Sequence, residues 1–298
     1  MNSADAVNKG TLEAGAVSLP VARKAAATAG VRRYGLAIYL GSTFLISWGL
    51  LAISVLSANA HVSPPLPDAV LITLATLGPI LGAIAASMYE SGLTGVRALL
   101  RQVVRWRVAA KWYAWALLGP GLATAIGFLI WLALGGPLPP APPLAAWLSV
   151  PILIVALLLP ALFEETGWRG FLFPRLQARY GMLVGSLLVG AVHAAWHIPV
   201  FLIPSAGFGS LPFAIFALFV IALSVVMGWL YNSTGGSVLI TGLAHAAFNA
   251  WPLPWTAALV MLPEGARGMH VQIAIAIALV GWAAVVLLTY TRRLKAKG

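Results

Sequence analysis

Two adjacent carboxylates and an arginine stand where an apolar chain has no ordinary use for them. The stretch Phe163-Glu164-Glu165-Thr166-Gly167-Trp168-Arg169-Gly170 follows a run, Trp147 to Phe163, that carries no charge. A charged side chain inside lipid costs ~2.5–3.5 kcal/mol on insertion scales, so acids in such a place mark a functional site by default. Glu165 and Arg169 are four residues apart, share a helical face and can pair. Glu164 points about 100° away and is free to face another helix. Two further i,i+4 pairs lie downstream, His193 with His197 and His245 with Asn249. A carboxylate held in a water-poor site can take a proton from water. A neutral imidazole can share that water or ligate a metal, and a histidine with an amide can donate to a developing oxyanion. With Glu165–Arg169 fixing the geometry, these are the parts of a hydrolase that attacks a carbonyl with water.

The elements that must position these groups are membrane helices. The residues are 61% hydrophobic and 8% charged, against roughly 25% charged in soluble domains. Apolar runs near the ~20 residues that cross a bilayer recur along the chain. The expected fold class is all-α, a polytopic membrane helix bundle of about eight transmembrane helices. Their expected extents are Tyr34–Leu56, Asp68–Tyr89, Trp112–Leu134, the Glu-bearing span from about Leu144 to Pro174, Met182–Ile203, Leu211–Tyr231, Ser237–Trp251 and Val271–Tyr290. Pro79 is expected to kink the second span, and Gly78 and Gly82 suit close helix packing. Between the second and third spans, Gly92–Lys111 carries Arg97, Arg101 and Arg105 at four-residue spacing, followed by Arg107 and Lys111. This pattern predicts a basic amphipathic helix lying on a membrane surface.

Cysteine is absent, which excludes disulfides and Cys-ligated zinc. The net charge of +11 comes from residues placed between apolar runs, which favours contact with anionic lipid over nucleic acid. With eight spans, 17 of the 18 Lys and Arg fall on one side and Arg267 on the other. The positive-inside rule makes that side the cytoplasm, so both termini are expected there, in the cell membrane. Residues 1–33 read as a disordered cytoplasmic tail, 34–291 as the bundle with a catalytic core at 144–252, and 292–298 as a basic cytoplasmic tail. A cleaved signal peptide is not expected, for want of a short apolar core with a small-residue cleavage site.

Depth brings the polar groups together. Glu164 lies 17 residues before a turn expected at Gly181 and His197 lies 16 after it, so both sit ~25 Å from the turn if helical. His245 is some ten residues past Gly235-Gly236, or ~15 Å, somewhat shallower.

At these residues the chain resembles the CAAX prenyl protease and bacteriocin-processing (Abi) family of intramembrane endopeptidases. The family's Glu-Glu-x-x-x-Arg matches Glu164, Glu165 and Arg169; its Phe-x-x-x-His matches at His197, with His193 in place of the Phe; its His-x-x-x-Asn matches His245 and Asn249. The resemblance covers about Leu144 to Trp251 and implies a peptide or protein substrate that reaches the membrane. It implies Glu164 as general base, His197 positioning the water, His245 and Asn249 stabilising the oxyanion, and Glu165 with Arg169 in support. His193 becomes a substrate-facing group or an added ligand. The family has been read both as metalloproteases and as glutamate proteases. A divalent metal such as zinc, if used, is implied on Glu164, His197 and His245. Two other readings compete, a transporter using the acid–histidine cluster as a proton or cation relay, and a non-catalytic immunity or scaffold protein.

Overall fold

The computed structural model describes residues 34–206, 212–262 and 276–286. The tails at 1–33 and 292–298, the ends of the last expected span, His270 and Arg267 lie outside them. The described residues are all-α. In chain order the helices are α1 (Gly35–Asn59), α2 (Asp68–Ala75), α3 (Leu77–Val103), α4 (Ala110–Ala133) and α5 (Leu144–Glu165). A π-helical turn, Thr166–Leu172, joins α5 to α6 (Phe173–Trp196), and two 3-10 turns follow at Ile198–Leu202 and Pro204–Ala206. Then come α7 (Phe213–Ser233), α8 (Val238–Ala250), α9 (Leu253–Val260) and α10 (Ala276–Val286). Among these residues five helical runs are long and apolar enough to cross a membrane: Gly35–Asn59, Asp68–Val103, Ala110–Ala133, Leu144–Leu202 and Phe213–Ser233. The protein is therefore a multi-pass membrane protein. At 13 residues, α8 is only ~20 Å long, less than the ~30 Å hydrocarbon core.

The long runs contain breaks with physical causes. Pro79 has no N–H to give the carbonyl of Ala75, which separates α2 from α3 at Thr76. The freed Ala75 oxygen accepts a hydrogen bond from Ser47 Oγ at 2.7 Å instead. Gly92 and Gly181 adopt left-handed φ of 60° and 80°. Each reverses the chain sharply. A Cβ on Gly95 would lie 2.7 Å from the oxygen of Ser87, and one on Gly185 would lie 2.9 Å from the nitrogen of Gln177. Eight residues apart, such positions would be about 12 Å distant in a continuous helix. The turn expected at Gly181 is thus present. The basic helix expected over Gly92–Lys111 is shorter and ends at Val103. Its end is set by distant contacts: Ser237 donates to the carbonyl of Arg105 at 2.6 Å, and the Arg105 guanidinium donates to the carbonyl of Gly235.

Packing is organised around the π turn. α1 lies along α3, α5 along α8, and α6 along α7, while the π turn is pressed mainly on α3. Small residues allow these approaches. A Cβ on Gly78 or Gly82 would strike the Thr43 and Tyr39 backbone carbonyls of α1, at 2.7 and 2.8 Å. A Cβ on Gly167 would come within 2.7 Å of the Pro79 carbonyl oxygen. The largest buried apolar cluster contains Trp168, Phe171 and Leu172 of the π turn, with Tyr39, Leu99, Trp196 and Tyr231 around them.

Candidate active site

α5 delivers Glu164 and Glu165 at its last turn, and every residue of the π turn that follows is buried. π turns inside α-helices concentrate at functional sites; here one follows the acid pair directly. Glu165 is fully buried. Its Oε1 accepts from Arg169 Nη1 at 2.8 Å and from His245 Nδ1 of α8 at 2.9 Å. Its Oε2 has no partner among the described residues. Glu164 turns the other way, onto α6, where its Oε2 lies 3.0 Å from His193 Nε2. The His193 ring stacks on Trp168, with centroids 4.9 Å apart and planes at 29°.

His193 acts at both ends. Its carbonyl accepts from His197 Nδ1 at 3.0 Å. With Nδ1–H so engaged, the neutral His197 ring keeps Nε2 as an acceptor. The ring centroid of His193 lies 5.0 Å from that of His197 and 6.0 Å from that of His245. Three imidazoles from two helices therefore surround the acid pair. Trp48 of α1 closes the α6 end by donating Nε1 to the Trp196 carbonyl at 3.1 Å. Beside the cluster is a cavity of about 110 Å³ lined by Leu51, Ile72, Ala75, Thr76, Glu164, Trp196, His197 and Val200. Its wall is apolar except where Glu164, His197 and Thr76 enter.

The structure thus brings together Glu164, Glu165, Arg169, His193, His197 and His245. It leaves Asn249, one turn beyond His245, at an exposed position. It also pairs the residues in its own way. His193, not His197, touches Glu164, and His245 touches Glu165. The π turn, the role of Trp168 as a ring platform and the two-ended use of His193 were not foreseen from spacing.

A metal does not fit these donors as they stand. Among the described residues no three His, Asp or Glu form a group that could hold an ion. The carboxylate oxygens facing the imidazoles are already engaged by His193, His245 and Arg169.

These features define a class: a helical membrane protein whose bundle encloses two acids, an arginine and three histidines beside an apolar cavity. Comparison with known proteins narrows it. Residues 146–251 match the family model described as type II CAAX prenyl endopeptidase, Rce1-like. The CAAX prenyl protease 2 of Methanococcus maripaludis is 32% identical over 110 residues, which are 34% of this chain. The chain spans 39% of that relative's length. The segment that holds the site is thus similar to a family described as endopeptidases.

Proposed function

We propose that the protein is an intramembrane endopeptidase of the CAAX-protease and Abi type, which hydrolyses a peptide bond near the membrane. The observation that carries this reading is the position of Glu164: a buried carboxylate steadied on one oxygen by His193, at the wall of a cavity that His197 also lines. Water held between Glu164 and His197 Nε2 gives a proton to Glu164, and its oxygen adds to the substrate carbonyl. His245 is the proposed donor to the resulting oxyanion, in its imidazolium form with Nδ1–H held on Glu165 and Nε2–H free, and Asn249, exposed one turn further along α8, is the proposed second donor once substrate occupies the site. The proton on Glu164 then passes to the leaving amine as the C–N bond breaks, which restores the carboxylate. Glu165, held by Arg169 and His245, keeps α5 and α8 in register.

The same reading carries the topology. The eight apolar runs become eight spans with both termini cytoplasmic, residues 144–252 are the catalytic core, and anionic lipid surrounds the basic loops. A peptide or protein reaching the membrane is the substrate. Cleavage of a peptide library by the purified, lipid-reconstituted chain tests the reading, with bound metal measured on the same preparation. Cleavage by wild type that disappears in a folded Glu164→Gln variant is the expected result. Persistent cleavage by that variant would overturn it.

A further inference from the structure

The short helical arm after Gly92 has two unlike faces, and both have an address. On the inner face, Leu99 is buried. Its Cδ1 stands only 3.1 Å from where a Cβ on Gly170 of the π turn would be. Gln102, also inward, donates Nε2 to the Gly170 carbonyl at 3.3 Å and accepts from Tyr231 Oη at 2.6 Å. Arg105, just past the arm, is bonded to Gly235 and Ser237, at the turn that leads into α8 and His245. The arm is therefore tied directly to both chain segments that carry the Glu165 cluster, the π turn with Arg169 and the approach to α8.

The outer face reads Leu93, Arg97, Leu100, Arg101 and Val104, all exposed. These positions fall four, seven, eight and eleven residues along one helical stripe. Trp106, 60% exposed, continues it. From Gly92 to Lys111 there is no acidic residue. Among the described residues neither Arg97 nor Arg101 has an ion pair. Leucine and valine alternating with unpaired arginines beside a tryptophan match a bilayer interface, where apolar side chains enter the acyl boundary and guanidinium groups meet phosphates. The charge favours anionic headgroups, which attract each nearby basic residue severalfold.

We propose that this outer face docks on anionic phospholipid, and that Gln102 transmits the docking to the π turn as a positioning residue, so that lipid charge regulates the centre. The coupling rests on the protease reading above; the docking does not. The test uses the full chain in nanodiscs of phosphatidylcholine alone or with phosphatidylglycerol. Association of spin-labelled phosphatidylglycerol relative to spin-labelled phosphatidylcholine reports docking, and peptide cleavage reports coupling. Wild type should favour phosphatidylglycerol and cleave faster where it is present. Arg97→Gln with Arg101→Gln should lower the preference by roughly tenfold or more, leaving the rate in neutral discs unchanged. Gln102→Ala should keep the preference but lose the dependence of kcat on phosphatidylglycerol. Equal association of the two lipids, or a preference untouched by the arginine changes, overturns the docking. A preference with a lipid-independent rate overturns the coupling. Absence of cleavage in every disc, with the lipid preference intact, instead counts against the protease reading.

Discussion

The bundle holds two polar regions that differ in how completely they are satisfied. One joins the basic arm, the α6 start and the α7–α8 turn. There Glu90 pairs with Arg175, Gln177 and Asn232 exchange hydrogen bonds at 3.2 and 2.6 Å, and Gln102 links Tyr231 to Gly170. No buried side-chain polar atom among these residues lacks a partner. The other is the acid–histidine centre. There, among the described residues, Glu165 Oε2 and the indole nitrogens of Trp168 and Trp196 are buried without partners. A buried polar group without a hydrogen bond costs ~1–3 kcal/mol. Unpartnered hydroxyls also occur at helix contacts elsewhere, at Tyr39, Thr43 and Ser186, but the centre is where an unpartnered carboxylate oxygen sits against an ion pair and imidazoles. On the proposed reading, the region that carries the reaction bears this cost, while the first region works as a fastening.

Substitutions can break or sharpen this contrast. The largest effect is expected at Glu164. Glu164→Gln keeps the shape and the contact to His193 but cannot accept a proton, and should slow cleavage by roughly 100- to 10,000-fold. Thermal unfolding in detergent should barely move. Arg169→Met should act on the fold instead. Removing one partner of a buried ion pair costs about 3–5 kcal/mol, and a chemical denaturation series should register that loss. His193→Phe can preserve the stack on Trp168 while freeing Glu164, so kcat should fall by about tenfold to a hundredfold through lost orientation. Rescue by His193→Gln, which can still donate to the carboxylate, would show that the hydrogen bond matters. At the fastening, Tyr231→Phe removes one donor and should cost about 1 kcal/mol of stability, with the cleavage rate in neutral lipid unchanged. A Tyr231→Phe protein as inactive as Glu164→Gln would erase the distinction between the two regions.

Much of this was readable from the chain. The apolar runs locate the helices, Pro79 marks the break in the second run, and Gly181 marks the reversal that puts the Glu-bearing and His-bearing arms side by side. Glu165–Arg169 follows from four-residue spacing, which pairs them whether the backbone is α or π. What could not be read depends on distant chain. The even spacing of Arg97, Arg101 and Arg105 suggests a helix to Lys111. Gly235 and Ser237, some 130 residues away, instead capture Arg105 and end it early. Likewise, equal depth from Gly181 points to His197 as the partner of Glu164, but His193, one turn nearer the reversal, is the residue that touches it. The Trp168 ring decides it by giving His193 a flat surface to lie on.

His193 presents its ring to Glu164 and its carbonyl to His197. Any slide or roll of α6 therefore carries the acid's support and the neighbouring imidazole as one rigid body. Errors in the placement of α6 become common-mode for the two histidines: they shift both relative to Glu164 on α5, yet hardly alter the spacing between them. A redesign that hopes to retune one of those two groups alone will have to start by cutting this shared tether.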